Sequence, residues 1–295
     1  MPDLFRTLHR APDHIAAEVA EALERRALEP ALQAMLGSYI GDIAMPAEAT
    51  VLEIGCGTGP VCRRFAAVPG VARVIGVDPA AVLVERAREL AAGDPRLTFE
   101  ARDGRDTGLA DDSVDVVVLH TLLSHVDDQP GILAEARRVL KPGGTLAVCD
   151  ADFSKTSVAI HDADPLQACV EAWVAGNVTD RWLVPRLPGL LAEVGFEVTQ
   201  FRGHQRADIA GISTAPAWIE HGARALAKRG TIGPELVDAL VAEGQRRLAE
   251  ARRVLKPGGT LAVCDADFSK TSVAIRDADP LQACVEAWVA GNVTD

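Results

Sequence analysis

Residues 51–59 read Val-Leu-Glu-Ile-Gly-Cys-Gly-Thr-Gly, and this stretch decides the fold. Val51, Leu52 and Ile54 form a short apolar run, which is typical of a parallel strand buried on both faces. Three glycines follow the strand, and a helical pattern then begins. A strand that ends in a Gly-rich turn before a helix lets bare backbone approach a ligand closely. The stretch therefore predicts an α/β fold with a ligand at the end of its first strand.

The glycine spacing separates two classes of ligand. Dinucleotide-binding enzymes use Gly-x-Gly-x-x-Gly, with the pyrophosphate at the helix N-terminus. Here the glycines are Gly55, Gly57 and Gly59, and Pro60 occupies the position of the third dinucleotide glycine. Glu53 is an acidic residue inside the strand end, where burial is costly unless the carboxylate holds something. The acidic strand end and the tighter glycine spacing resemble motif I of the class I S-adenosylmethionine (SAM) methyltransferases. A nucleotide site and a turn without a ligand are the alternatives.

Acidic residues end the next two strands, at the intervals that the resemblance implies. Asp78 lies 19 residues after the last glycine of the turn, next to Pro79, and in the family this carboxylate binds the ribose hydroxyls of SAM. Asp103 and Gly104 match the position whose carboxylate accepts from the adenine amino group, with Asp106 as the nearest competitor. Without a ligand, the first carboxylate would cap the following helix and the second would be an ordinary turn residue.

Two later strands complete the family pattern. Val114–His120 reads as a fourth strand, and the Leu-Lys-Pro-Gly-Gly of residues 140–144 precedes a fifth. This segment closely resembles the "LKPGG" segment of the ubiquinone and menaquinone C-methyltransferase-like group. The resemblance implies SAM as the cofactor and a doubly wound, Rossmann-like sheet of seven strands in the order 3-2-1-4-5-7-6. Phe196–Phe201 is the sixth strand of this prediction.

Two histidines are candidates for catalysis. Methyl transfer needs a positioned nucleophile, and a base helps when a proton must leave. His120 ends the fourth strand, beside the methyl position that the family implies, and is also a candidate contact to the methionine part of SAM. His125 follows in Leu-Leu-Ser-His-Val, which resembles the "HHV" region of the group, or alternatively caps the next helix. An imidazole titrates near ~6.5, which suits a base, and the sequence leaves open which histidine serves.

The composition of the chain excludes several classes of binding partner. The chain has 295 residues and a net charge of −12, without the basic patch that nucleic-acid binding requires. No segment approaches the ~20 apolar residues of a membrane span, and no signal-peptide pattern is visible. The six cysteines lack metal-binding or disulfide spacing, so we expect a reduced, cytoplasmic protein without a metal site. The expected partner is a small molecule, for a monomer or homodimer without nucleic-acid or membrane binding.

A long repeat marks the C-terminal part of the sequence. Leu133–Asp180 reappears as Leu248–Asp295, and the only difference is His161 against Arg276. The copy begins inside a helix and contains no glycine turn, so it cannot bind SAM by itself. We interpret it as a recent recombination or a sequence error at the C-terminus. Its Thr260–Cys264 is the candidate for the seventh strand.

These patterns predict four regions and a function. Residues 1–45 form an N-terminal helical cap, and residues 46–203 form the SAM-binding core with a cap insertion near 153–185. Residues 204–247 are helical, and residues 248–295 are the copy. The tryptophans lie outside the predicted strands and either pack as ordinary helix residues or line an apolar pocket. The expected function is methyl transfer from SAM to a small apolar or aromatic metabolite. The alternative is a SAM-binding protein of the same fold without turnover.

Overall fold

A computed structural model describes residues 3–203, 215–254, 263–265 and 272–274 of the chain. The chain divides into two compact units, residues 1–201 and 202–295, and each is described by itself. None of the helices in these described ranges is both long and apolar enough to cross a membrane.

A parallel sheet of five strands forms the centre of the first unit. The strand order is β3-β2-β1-β4-β5, and every neighbouring pair runs parallel. The strands are β1 (Ala49–Ile54), β2 (Val71–Asp78), β3 (Leu97–Ala101), β4 (Val114–His120) and β5 (Leu140–Cys149). The order reverses direction at β1, so ligands are expected at the carboxyl ends of β1 and β4. The α/β class and the order of the first five strands are thus confirmed.

Helices connect the strands and precede the sheet. Three lie before β1: α1 (Leu4–Thr7), α2 (Asp13–Ala27) and α3 (Pro30–Asp42). The connecting and following helices of this unit are α4 (Pro60–Ala66), α5 (Ala81–Leu90), α6 (Gln129–Val139), α7 (Pro165–Asn177) and α8 (Leu183–Glu193). The second unit contains α9 (Ala215–Lys228) and α10 (Leu236–Val254), which pack against each other.

Both faces of the sheet are buried, which explains the continuous apolar runs in the strands. Leu52 and Ile54 point to one face, where they pack with residues of α6 and α8. Val51 points to the other face, where it packs with residues of α4 and α5. Side chains alternate along a strand, so one short apolar run supplies two cores.

The predicted sixth and seventh strands are not found in the sheet. Residues 196–201 form no regular element, and Val198 and Phe201 are exposed. In the predicted order the sixth strand pairs only with the seventh, so without a seventh strand its backbone has no partner. Of the predicted seventh strand, residues 263 and 264 are described. They belong to β6 (Val263–Asp265), which pairs antiparallel with β7 (Ser272–Ala274) in a separate two-stranded sheet. The seven-stranded prediction was therefore wrong for the described residues.

Candidate active site

A cavity of about 970 Å³ opens at the carboxyl ends of β1, β2 and β4. Its floor comes from the glycine turn and the strand ends, including Glu53, Asp78 and His120. Its opposite wall comes from α1, α2 and α3 and includes Phe5 and Leu36. The volume lies at the upper end of the roughly 300–1,000 Å³ typical of small-molecule sites, so it has room for more than one small ligand.

The glycine turn needs left-handed backbone at each of its three glycines. Gly55, Gly57 and Gly59 have φ values of 77°, 52° and 75°, a region that side chains disfavour. A Cβ on Gly59 would also lie 2.6 Å from the ring of Phe99. A Cβ on Gly57 would lie 3.2 Å from Leu23 of α2, because the N-terminal helix packs close to the turn. The turn is therefore shaped by its glycines and lies under the helical wall.

Asp78 is anchored by the backbone of this turn. One carboxylate oxygen accepts from the backbone N–H of Gly57 at 3.0 Å, and the other accepts from that of Ala80 at 2.9 Å. Burial raises the pKa of the Asp78 carboxyl, and these two hydrogen bonds counteract part of that rise. Each oxygen keeps a lone pair for a ligand hydroxyl. Pro79, the next residue, also lines the cavity.

Asp103 lies on the same wall but already has a cationic partner. Arg105 contacts its carboxylate at 2.6 Å and also donates its backbone N–H to it. The Arg105 hydrogen bonds lower the pKa of Asp103 to about 2. Gly104 lines the cavity between Ile54 and Ile132. Asp106 is the alternative to Asp103 as the adenine-binding carboxylate. It accepts a hydrogen bond from the backbone of its own turn and is not among the described lining residues.

Glu53 is buried at the end of β1, with 3% of its surface exposed. The thiol of Cys62 donates to its carboxyl group at 2.9 Å. Burial raises the pKa of Glu53 to about 8, so the group is mainly the neutral acid at pH 7. A bound cation would favour the carboxylate instead, so this group is suited to a positively charged ligand.

His120 is paired with Tyr39 of α3. The hydroxyl of Tyr39 lies 2.9 Å from Nδ1 of His120. Burial, together with the charge of Arg26, lowers the pKa of His120 to about 4, and burial raises the pKa of Tyr39, so both are neutral at pH 7. The Tyr39 hydroxyl contacts no other acceptor in the described part of the chain, so it donates to Nδ1. Nε2 of His120 then carries the proton and acts as a hydrogen-bond donor.

In His125 the proton lies on the other ring nitrogen. Its Nδ1 lies 2.8 Å from a carboxylate oxygen of Asp3, a residue whose side chain is only 3% exposed. A carboxylate only accepts, so Nδ1 of His125 carries a proton and donates. Across residues 3–203 and the other described ranges, Nε2 of His125 has no hydrogen-bond partner, and the side chain lines the cavity. His125 is therefore the histidine whose free lone pair is available to a ligand.

Three residues that contact the predicted site residues could not be identified from the sequence. Asp3 and Tyr39 lie 122 and 81 residues from the histidines that they contact, and no motif surrounds them. Arg105 follows Asp103 closely, but nothing in the turn indicated an ion pair. The parallel sheet brings the strand ends together, and the N-terminal helices above it bring Asp3 and Tyr39 against two histidines that line the cavity.

Two further expectations concern metals and tryptophans. Within the described ranges, no group of three or more His, Cys, Asp or Glu side chains is placed to hold a metal ion. The tryptophans of the first unit are not part of the cavity wall. Trp173 packs near Phe153 at 6.2 Å between ring centroids, and Trp182 is exposed with Arg181 beside its ring. Trp288 lies outside the described residues.

Residues 52–148 match the family described as "Methyltransferase domain". The chain is 29% identical over 206 residues to the 27-O-demethylrifamycin SV methyltransferase of Amycolatopsis mediterranei, covering 68% of this chain and 71% of that protein. It is 29% identical over 168 residues to a demethylmenaquinone methyltransferase of Tropheryma whipplei, covering 52% and 68%. The chain spans half the length of another curated relative. Among solved structures, the methyltransferase bound to the Trm112 activator of Haloferax volcanii aligns with a TM-score of 0.51 and 24% identity over 64% of this chain and 77% of that one.

The segment from residue 52 to residue 148 is a class I SAM-dependent methyltransferase domain. The cofactor of this domain is SAM. The residues present fit this cofactor. The turn offers backbone without side chains, Asp78 has free lone pairs beside it, and Glu53 is suited to a cationic group.

Proposed function

We propose that the protein transfers a methyl group from SAM to a small, apolar or aromatic metabolite. The observation that carries this proposal is one cavity that holds the glycine turn, Asp78 and both histidines. A donor site and a proton acceptor within one cavity are what a methyl transfer to a protic acceptor needs. Relatives named as a 27-O-demethylrifamycin SV methyltransferase and a demethylmenaquinone methyltransferase support a small molecule, and not a nucleic acid, as the acceptor.

The donor side of the cavity would hold SAM through the residues that the sequence predicted. Asp78 would accept from the ribose hydroxyls, with Pro79 beside it, and Asp103 and Gly104 would meet the adenine. Glu53 would face the cationic end of the cofactor. The remaining contacts would come from Gly55, Gly57 and the Nε2–H of His120, whereas Gly59, which is not among the lining residues, would act by shaping the turn.

The chemistry divides between the cofactor and the side chains. When bound, SAM supplies a methyl group on a sulfonium sulfur, which leaves as a neutral thioether. His120 would donate a hydrogen bond from Nε2 to a bound ligand, because Tyr39 occupies its other nitrogen. His125 would accept the proton of the acceptor on Nε2. Enclosure by the helical wall would exclude water and position the acceptor.

Apolar residues support an apolar acceptor. Phe5, Leu28, Leu32 and Leu36 line the N-terminal side of the cavity, and Leu28 and Phe5 are among the exposed large apolar residues of the chain. An apolar ligand that covered them would remove this surface from water. For partners, we propose what the sequence predicted. The protein would be a cytoplasmic monomer or homodimer that binds a small molecule and neither nucleic acid nor a membrane.

The test is a transfer assay with methyl-labelled SAM and a panel of phenols, quinols and hydroxylated macrocycles, combined with calorimetry of SAM binding. We expect SAM to bind and at least one acceptor of the panel to gain label. Binding without label on any acceptor would support the alternative, a SAM-binding protein without turnover. Absence of SAM binding by the folded protein would overturn the proposal altogether.

A further inference from the structure

Asp3 has a buried carboxylate, although it belongs neither to the glycine turn nor to the strand ends. Its side chain is 3% exposed, and leaving a carboxylate in such a place is costly unless its oxygens are satisfied. One oxygen, Oδ2, accepts from Nδ1 of His125 at 2.8 Å and from the backbone N–H and the hydroxyl of Thr179, each at 3.0 Å. The other oxygen accepts from the backbone N–H of Phe5. The residue therefore connects the N-terminal segment with two distant parts of the core.

The ring of His125 is held in one orientation by these surroundings. Phe5 lies against it with 4.8 Å between ring centroids, and Phe153 lies at 6.2 Å, edge-on. Asp3 fixes the proton on Nδ1, because a carboxylate accepts hydrogen bonds and does not donate them. The lone pair is consequently on Nε2, the nitrogen without a partner in the described residues. A carboxylate that orients a histidine in this way also stabilises the imidazolium that forms when the histidine gains a proton.

We propose that Asp3 is the positioning residue for His125, and that the acceptor is a hydroxyl compound methylated on its oxygen. This inference rests on the function proposed above. In the step, the acceptor oxygen forms a bond to the methyl carbon while the bond between that carbon and the sulfonium sulfur breaks, and its electron pair stays on sulfur. The hydroxyl proton moves to Nε2 of His125. The positive charge lost from sulfur therefore appears on the imidazolium, next to the carboxylate of Asp3.

The first measurement does not depend on turnover. In protein labelled with ¹⁵N-histidine, NMR reports which ring nitrogen carries the proton, and a His125→Gln variant assigns the signal. We expect the Nδ1–H form of His125 in the wild-type protein and a mixture of the two tautomers in Asp3→Asn, because an amide accepts or donates. Asp13→Asn, an exposed acid in the same N-terminal region, should keep the wild-type signal. An unchanged His125 signal in Asp3→Asn would overturn the positioning role.

The second measurement is kinetic and uses phenols of graded acidity. We expect Asp3→Asn to lower kcat by roughly 10²-fold, the lower end of general-base contributions, with KM for SAM changed less than about twofold. The loss should be larger for phenols with a higher pKa, because a less acidic hydroxyl depends more on the base. Asp3→Glu, which keeps the charge, should recover part of kcat.

The outcomes separate the two proposals. If the wild-type protein transfers no methyl group, the proposed function fails, while the NMR result still decides whether Asp3 sets the tautomer. If transfer occurs but the product carries the methyl group on carbon, the assignment of a hydroxyl acceptor is overturned. Equal losses for all phenols, or a raised KM for SAM with unchanged kcat, would show that Asp3 acts only by supporting the fold.

Discussion

Among single residues, the carboxylate of Asp78 accepts hydrogen bonds from the backbone N–H groups of Gly57 and Ala80. We expect Asp78→Ala to weaken SAM binding by about 1.5–3 kcal/mol, or roughly 10- to 150-fold in Kd, because charge-assisted hydrogen bonds to the ribose would be lost. Calorimetry measures this directly. Asp162→Ala, which removes an exposed carboxylate without a partner in the described structure, is the matched control. An unchanged Kd for Asp78→Ala would refute the ribose assignment.

Glu53 gives a prediction for the pH dependence of stability. Burial raises its pKa from the ordinary 4.5 to about 8, so the folded protein holds a proton that the unfolded chain releases. The stability from this group is complete below about pH 4.5 and is lost as pH rises toward 8, at up to about 1.4 kcal/mol per pH unit. Glu53→Gln does not titrate. Its free energy of unfolding, relative to the wild-type protein, should therefore rise between pH 5 and pH 8.

Denaturant titrations of the ligand-free protein at several pH values provide the measurement. Glu193→Gln, an exposed glutamate on α8, is the control and should follow the wild-type curve at every pH. If the Glu53→Gln and wild-type curves stayed parallel from pH 5 to pH 8, the side chain would be ionised in the folded protein, and the assignment of a neutral acid would be wrong.

Much of the cavity floor could be placed from the sequence, but its partners could not. The strand ends put Asp78 and His120 at one edge of the sheet, because parallel strands bring their carboxyl ends together. Asp3 caps α1 and Tyr39 lies on α3, so the positions of both depend on how these helices pack outside the sheet. Sequence periodicity identifies such a helix but does not give the residue that it places against a distant histidine.

Among the elements, α6 is tied to the loop before β4 by Glu135. Its carboxylate accepts from the backbone N–H and the hydroxyl of Thr107 at 2.8 and 2.6 Å, and it contacts Arg138 at 2.8 Å. Burial alone would raise its pKa, but these hydrogen bonds outweigh that effect and lower it to about 2. We expect Glu135→Ala to lower the free energy of unfolding by about 2–4 kcal/mol at pH 7, because buried donors lose their acceptor.

The lowered pKa of Glu135 also predicts how the stability difference between the variant and the wild-type protein changes at low pH. The contribution of Glu135 is present above its ordinary pKa of 4.5 and is lost as pH falls toward 2, so the difference between Glu135→Ala and the wild-type protein should shrink below about pH 4. Glu193→Ala, on the exposed side of α8, should change stability by less than about 0.5 kcal/mol. A Glu135→Ala variant as stable as that control would contradict the anchoring role.

The strands themselves differ in how well the sequence indicated them. The first five have apolar residues on both faces or follow a marked turn, and all five were predicted in the correct order. Phe196–Phe201 also contains alternating apolar residues, yet it forms no strand. Periodicity records which face of a segment is apolar, but a strand also needs a neighbour for its N–H and C=O groups. The sequence of residues 196–201 does not determine which strand, if any, lies beside them.

For the whole molecule, the repeat allows one sequence to be compared in two settings. The original Val148–Asp150 begins in the five-stranded sheet, whereas its copy Val263–Asp265 is β6 of a two-stranded sheet. A two-stranded sheet has few partners and is marginal on its own. We expect the amides of the copy to exchange hydrogen faster. Peptides that extend upstream of residues 133 and 248 differ in mass and distinguish the copies; equal protection would argue for an evolved tail, not a recombined one.

We predict that residues 266–295 pack loosely, because their first copy, residues 151–180, already occupies the matching site beside β5; most of residues 266–295 lie outside the described residues. The same exchange experiment covers this prediction, because peptides spanning His161 and Arg276 also differ in mass. Slow exchange throughout the copied residues, equal to that of residues 151–180, would require the interpretation of the repeat as a recent recombination to be abandoned.

The wall above the cavity is one unbroken length of chain, from residue 3 to residue 42. It is attached to the donor side at several points: Leu23 lies over Gly57, Glu24 binds Thr58 and Arg63, and Tyr39 contacts His120. Because this wall is continuous in sequence and separate from the glycine turn, substitutions within residues 3–42 can alter it as one block while the residues of the turn stay unchanged. Laboratory chimeras that keep these attachments should inherit the acceptor range of whichever relative supplies the block.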